Sequence, residues 1–377
     1  MTDQDPSRRE MIIGGVAVTA LACATPLLSM RPHRPLVVTD GPSLRERAAA
    51  KNLLVGSAVR AATLADDPQL QAILREDANI LVPENELKWA AIQPRPDGTF
   101  DFAAAESIYD FATENDMAMR GHCLTWYRAE PGWAVETIPT LSPGKAGDLL
   151  VDYVTHVVRH WRGHIAQWDV VNEPVSANRQ LTEKLFSAKL GEDYIDLAFK
   201  AAAAADPTTL LMLNQDLIAQ EWWYEERQRD ATLRLLERLM ARGVPIQGFG
   251  FEAHLETAYG FSETKWRRFL DEVSGMGLAT MITEFDVNDA GTQGSIDSRD
   301  AAAVALTTDV LDVTLSYPTC RGLLPWGMVD KYHWLRQDPT KRRTDGSPQR
   351  GALRDDDYRR KPLWQAVADC IDRAPVR

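Results

Sequence analysis

Gln167-Trp168-Asp169-Val170-Val171-Asn172-Glu173-Pro174 is the stretch on which the reading of the fold turns. Its centre is short, apolar and β-branched, and Pro174 closes it, so it predicts a buried strand. A second stretch of the same build is Ala279-Thr280-Met281-Ile282-Thr283-Glu284-Phe285-Asp286-Val287. Each ends in or near a glutamate. A carboxylate where a buried strand emerges is expensive to desolvate, which points to chemistry rather than packing.

Six further apolar runs repeat the pattern. With the two above they predict strands over 52–60, 79–83, 118–124, 165–172, 210–214, 246–254, 279–287 and 322–329. Helix-like stretches lie between them, at 147–159, 194–205, 224–242 and 264–274, and Asp206-Pro207 stops one of these sharply. Strand and helix alternating eight times predicts an α/β fold with parallel strands and crossover helices. A single-domain (β/α)8 TIM barrel closes such a sheet more economically than an open doubly wound one. The polar residues support closure. Glu84, Asn85, Lys88, His122, Trp126, Asn172, Glu173, Asn214, Glu252, His254, Glu284 and Trp326 gather at the C-terminal ends of the runs, the face where barrel enzymes carry their sites.

The chain has 377 residues, 45% of them hydrophobic, enough for one large core. Its formal charge is −12, which argues against a nucleic-acid partner and suits a neutral substrate. Ser7-Arg8-Arg9-Glu10-Met11-Ile12-Ile13 resembles a twin-arginine export signal, followed by an apolar stretch to about Ala24 that is short for a bilayer span. Small-residue cleavage patterns end at Ala22 and Ala24. Lipidation at Cys23 and a short membrane anchor are the alternatives. The expected organisation is a signal over 1–24, a proline-containing linker over 25–43 and the barrel over 44–377. The product is expected to be periplasmic or secreted, monomeric, and without stable membrane association. Cys123, Cys320 and Cys370 fit no zinc spacing, and their odd number argues against a disulfide framework, so buried free thiols are expected.

Two facing carboxyls, one protonated and one ionised, are what glycoside hydrolysis requires. At this point a family resemblance emerges. Residues 45–370 resemble glycoside hydrolase family 10, the endo-β-1,4-xylanases. The carrying segments are Pro83-Glu84-Asn85-Glu86-Leu87-Lys88-Trp89, Arg120-Gly121-His122-Cys123-Leu124-Thr125-Trp126, Trp168 to Pro174, Gly248-Phe249-Gly250-Phe251-Glu252-Ala253-His254-Leu255, Ile282 to Val287 and Trp326-Gly327-Met328-Val329-Asp330-Lys331-Tyr332. The resemblance implies a retaining endo-β-1,4-xylanase acting on xylan or xylo-oligosaccharide, with no metal or organic cofactor. It implies Glu173 as acid/base, Glu284 as nucleophile, His254 and Asp286 as its support, and Asn172 as a ligand of the sugar 2-hydroxyl. Glu84, Asn85, Lys88, His122, Trp126, Asn214 and Glu252 would bind substrate, and Trp326 and Trp334 would wall the sugar. Trp89, Trp161, Trp168 and Trp364 are expected to be structural. A zinc site on Glu252, His254 and His122 is the metal alternative, at a spacing that matches no zinc pattern.

Four positions depart from the family. Glu252 stands where a glutamine is usual, Tyr127 where a histidine is, and Ala129 where a distal glutamine is. Asn214-Gln215-Asp216-Leu217 replaces Asn-Asp-Tyr-Asn and so lacks an aromatic residue on the leaving-group side. Glu252 would add a third carboxyl to the site, so it is expected to be protonated, mimicking glutamine, or paired with Lys88 or His254. The same machinery acting on another β-glucan or on a mixed or aryl xyloside, and a sugar-binding barrel without catalysis, are the competing readings.

Overall fold

The computed structural model describes residues 37–377. Eight strands lie at or close to the predicted runs: Leu54–Val59 (β1), Ile80–Pro83 (β2), Ala118–Gly121 (β3), Gln167–Asn172 (β4), Leu210–Gln215 (β5), Gly248–Glu256 (β6), Ala279–Asn288 (β7) and Cys320–Pro325 (β8). They pair in chain order, all parallel, and β8 closes on β1 through Leu54↔Gly322 and Val55↔Leu323. The closed (β/α)8 barrel expected from the sequence is therefore what forms. Strand ends differ from the expectation in one place that matters. The last strand stops at Pro325 instead of running to 329, because Trp326 makes the final ladder bond to Phe285 and Gly327 then turns at φ +114°. Only glycine takes that angle without strain.

The helices follow local signals. Ser142 caps Pro143–His160 by accepting the Lys145 N–H, with Pro143 preset in the first turn. Ser262 caps Glu263–Gly275 in the same way. Asp193–Ala205 ends at Asp206, whose carboxylate accepts the N–H groups of Gly163 and Thr208, each at 2.9 Å.

Two apolar layers hold the barrel. Inside it, Ala58, Ile80, Val82, Met212, Met281, Leu324 and Trp326 pack together. Between sheet and helices lies the larger layer, where Trp89, Trp161, Trp168 and Trp364 are all buried, as their structural role required. Cys123, Cys320 and Cys370 are buried free thiols. Among the described residues no helix is long and apolar enough to cross a membrane. The signal segment, Cys23 and most of the expected linker lie outside the described residues. The end of that linker belongs to the folded body: Thr39 donates to Gln365 Oε1 from its backbone N–H at 3.0 Å and its hydroxyl at 3.1 Å.

Gly121 pairs with Trp168 across β3 and β4, and a Cβ there would stand 2.1 Å from the indole. Gly121→Ala is expected to destabilise the barrel by about 1–3 kcal/mol, the range for an overpacked core. Urea unfolding checks this, and an unchanged midpoint would refute the packing account.

Candidate active site

Register shifts set the site. Glu252 of β6 pairs with Glu284 of β7, although the preceding pair is Phe251↔Ile282, so one residue of β7 is skipped. That residue is Thr283. Its hydroxyl donates to Asn214 Oδ1 at 2.6 Å, while the Asn214 amide reaches Glu284 Oε1 at 3.3 Å. Consecutive residues 283 and 284 thus face the same side, which a regular strand forbids. A similar shift in β4, between Asp169 and Val171, turns both Asp169 and Asn172 inward.

Asn214 is the hub. Fully buried, its amide donates to Asn172 Oδ1 at 2.7 Å and Glu252 Oε1 at 3.2 Å as well as to Glu284. Its expected role as a substrate ligand is corrected here, because no face of it is open. It positions the carboxyls instead. Gly250 makes room for it, since a Cβ there would lie 2.4 Å from Asn214 Oδ1.

His254 stands between two carboxylates. Its Nδ1 lies 2.8 Å from Asp286 Oδ2 and its Nε2 3.3 Å from Glu284 Oε2. Both partners accept, so both ring nitrogens donate and the ring is an imidazolium. Burial works against that charge, but Asp286 and Glu284 outweigh it and push the pKa up to about 10. Trp334 Nε1 donates to the same Asp286 oxygen at 2.7 Å and completes the brace. For Glu284, burial favours the neutral acid. The His254 hydrogen bond and the charges of His122, His254 and Lys88 prevail and hold its pKa below the ordinary range.

Glu173 has the opposite environment. Burial and the nearby Asp216 charge raise its pKa to about 7, against the pull of Arg128 and Trp126, with Glu284 adding to the rise. Its backbone sits at φ +48°, a left-handed angle that costs a non-glycine residue of order 1–3 kcal/mol. The Glu173 N–H bond to Asn214 O, at 2.8 Å, and the Thr182 hydroxyl on its carbonyl hold it there. Glu252 is desolvated and faces the charges of Glu284 and Glu173, so its pKa lies well above normal. Of the two states expected for it, the protonated one fits. Lys88 makes no ion pair with it, and His254 Nε2 is 3.8 Å away, beyond a good hydrogen bond.

These groups line one cleft of about 750 Å³, with Lys88, His122, Trp126, Asn172, Trp326 and Trp334 on its walls. Glu84 and Asn85 do not reach the cleft. Arg60 grips Glu84 through two hydrogen bonds, and Asn85 accepts from Lys88 at 3.0 Å. Glu252, His254 and Glu284 also form the one cluster among the described residues with a cation's ligand spacing. Two of the three hold protons near neutrality, which a metal would have to displace. His122 is not part of that cluster: its Nδ1 donates to Asp169 at 3.0 Å.

Several functional neighbours went unread in the sequence. Asp169 anchors both His122 and the buried Arg120. Its position inside a buried strand was visible, but its inward side was not. Arg128 is exposed at the cleft, with Nε donating to Tyr127 at 2.7 Å.

The family model for Glycosyl hydrolase family 10 matches residues 43–370. Endo-1,4-beta-xylanase B of Thermotoga neapolitana is 29% identical over 310 residues, spanning 82% of this chain and 85% of that protein. Native xylanase 10B of Thermotoga maritima superposes with a TM-score of 0.79 at 30% identity, covering 88% of this chain and 98% of that one. The xylanase 10B of Thermotoga petrophila RKU-1, solved with xylobiose, also gives 0.79 at 30% identity, over 89% and 99% of the two chains.

The brace predicts a histidine that stays charged far above its usual range. Nitrogen-15 NMR should show the His254 ring deprotonating near pH 10, and Asp286→Asn should move that event down toward the ordinary 6.5. Because the folded pKa is the higher one, this interaction stabilises the fold fully below about pH 6.5, and the gain fades as pH rises toward 10. A ring that titrates near 6.5 in the parent protein would sink the imidazolium assignment.

Proposed function

The chain belongs to glycosyl hydrolase family 10, and from that premise we propose that it is a retaining endo-1,4-β-xylanase cutting internal bonds of xylan. One observation carries the reading. Two buried glutamates at one barrel mouth have pKa values driven in opposite directions, Glu173 up to about 7 and Glu284 down. Such a split assigns acid and nucleophile. Xylan enters because the relatives above are named as xylanases and one was solved with xylobiose.

The chemistry is double displacement. Protonated Glu173 gives its proton to the glycosidic oxygen as the C1–O bond breaks, and the Glu284 carboxylate bonds to C1. Ionised Glu173 then takes a proton from water, the hydroxide oxygen bonds to C1, and Glu284 leaves as a carboxylate. Two inversions give net retention. Asn172, held by Asn214, would bind the sugar 2-hydroxyl, where hydrogen bonds strengthen in the transition state. His254 and Asp286 position the nucleophile. Protonated Glu252 offers a hydrogen-bond donor where an ionised side chain would repel the Glu284 carboxylate. We further propose export of the folded enzyme by the twin-arginine-like segment. Three buried thiols that need no oxidising compartment suit that route.

A 2-fluoro-xylobioside with a good leaving group should inactivate the enzyme with one covalent adduct, on Glu284. An active enzyme labelled on any other residue would overturn the assignment.

The pH profile follows from the same shifts. On the alkaline side kcat/KM should fall through about pH 7 as Glu173 loses its proton. On the acid side activity should persist below the ordinary carboxylate range, because Glu284 stays ionised there. Glu252→Gln should retain activity at neutral pH within about threefold and change mainly the shape of the profile, since it replaces a neutral acid by a neutral amide. Collapse of that variant at neutral pH would reject the protonated state.

A further inference from the structure

The loop after β3 departs from the family at Tyr127 and Ala129, and Arg128 stands between them. Residues 126–129 form a tight turn, closed by the Ala129 N–H on Trp126 O at 3.0 Å. Tyr127 and Arg128 are its two central residues. The turn is anchored from outside the cleft, since Ala129 O accepts the Ala90 N–H of helix Trp89–Ile92 at 2.9 Å. Arg128 Nε donates to Tyr127 Oη at 2.7 Å. The guanidinium carbon lies 5.1 Å from the centre of that ring and 5.9 Å from the centre of Trp126. Two aromatic faces and a hydrogen bond thus fix the guanidinium in place, while the side chain stays exposed at the cleft.

Among the described residues this charge has no counter-ion. The two lysines of the cleft are engaged: Lys88 donates to Asn85 at 3.0 Å, and Lys341 pairs with Glu256 at 2.9 Å. Arg128 makes no ion pair, and its one hydrogen bond goes to a phenol that burial and the Glu173 charge keep neutral, with a pKa of about 12. Two carboxyls face the guanidinium from neighbouring elements, Glu173 after β4 and Asp216 after β5. Both are drawn toward their neutral forms, Glu173 to a pKa of about 7 and Asp216 upward by burial. Gln215 Nε2 also donates to Asp216 Oδ1 at 2.7 Å, so that oxygen already has a partner.

The chemistry of the group names its ligand. A guanidinium presents a planar fork of N–H donors that meets a carboxylate through two parallel bonds. Neutral sugar hydroxyls need no permanent charge to bind them. The rest of the cleft has the opposite sign, for Glu173, Asp216, Glu252, Glu256, Glu284 and Asp338 all line it. A chain with a carboxylate on every unit would be repelled along most of that surface. A mostly neutral chain with an occasional acidic branch meets no such barrier, provided the branch lands at Arg128. Arg128 is near enough to Glu173 to feel its charge, so the branch belongs to a unit adjoining the bond that is cut.

We propose that Arg128, held by Tyr127, binds the carboxylate of a uronic-acid side group on a sugar unit next to the scissile bond. The enzyme is thereby selective for acid-decorated xylan over the plain chain. The site is built at positions where this chain leaves the family pattern. This rests on the xylanase reading above and deepens it by naming the substrate class.

The test uses the full enzyme and three substrates. They are xylohexaose, a xylo-oligosaccharide with one glucuronic acid branch, and the same branched compound with its carboxyl reduced to an alcohol. The last two differ by a single carboxylate. At about pH 5.5 that carboxylate is ionised, and Glu173 keeps its proton with or without the guanidinium, because removing a cation only raises its pKa further. The parent should favour the acid over its reduced twin by roughly five- to tenfold in kcat/KM, mainly through KM. High salt should shrink that ratio. Arg128→Ala should bring it to about one, and Arg128→Lys, which keeps the charge and loses the fork, should preserve part of it. Arg128 is exposed, so its truncation leaves the fold intact, which circular dichroism checks. A parent that treats the acid and its reduced twin alike overturns the proposal. So does an Arg128→Ala variant with an unchanged ratio whose alkaline pH limb moves equally on all three substrates, which would confine Arg128 to tuning Glu173. A parent inactive on all three substrates fails the xylanase reading instead, and the two failures are distinct.

Discussion

Like charges a few ångströms apart in a desolvated cavity cannot all be ionised, and this constraint organises the whole barrel mouth. Glu173, Glu252 and Glu284 meet there, with Asp216 and Asp286 close by. The structure resolves the crowding by distributing protons unequally. His254 supplies one positive charge between Glu284 and Asp286, and that keeps both ionised. His254 Nε2 stands farther from Glu252, at 3.8 Å, and at Glu173 burial and the Asp216 charge outweigh the pull of Arg128. Glu173 and Glu284 part because His254, His122 and Lys88 act on Glu284, while burial and the Asp216 charge dominate at Glu173.

The barrel exists to hold that imidazolium in register. Glu252, His254, Glu284 and Asp286 come from two adjacent parallel strands, paired as Glu252↔Glu284 and His254↔Asp286. Side chains two apart on one strand share a face, so each pair stacks on the next. Arg120 and Asp169 form a buried pair beneath the mouth and carry His122 in turn. Removing one partner of a buried pair leaves an uncompensated charge, so this lower layer is intolerant of single changes. His122 Nδ1 faces Glu284 Oε1 at 4.0 Å, so the lower group adjoins the upper one across a gap longer than a hydrogen bond.

The two sides of the cleft differ in how they are built. At the end of β2, Lys88 lines the cleft and donates to Asn85 at 3.0 Å, and Arg60 pairs with Glu84 outside it. Across the mouth the wall is aromatic and stitched to β6 by Gln220. Charged groups fix a sugar's hydroxyls in one orientation. Stacked rings hold a chain while leaving its register freer. A glycanase that cuts internal bonds benefits from specificity near the cleaved unit and tolerance further out.

Much of this was legible in one dimension. The eight apolar runs announced a barrel because each is short, β-branched and followed by a helical repeat, and those are local properties. Glu173 and Glu284 stood out because an acid at the end of a buried strand contradicts its surroundings. His254 and Asp286 could be named because the segments that carry them resemble the family's, and the resemblance implies that they support Glu284. What the sequence could not carry was parity across the register shifts at Val170 and Thr283: strict alternation sends Thr283 and Glu284 to opposite faces, and the barrel turns both toward Asn214. It could not show that Asn214 is sealed from substrate, that Glu84 is occupied by Arg60, or that Tyr259 meets Trp222. Those facts depend on contacts between residues tens to hundreds of positions apart. A chain specifies its strands by local pattern, but closing them into a ring is what decides which side chains meet and which protons stay.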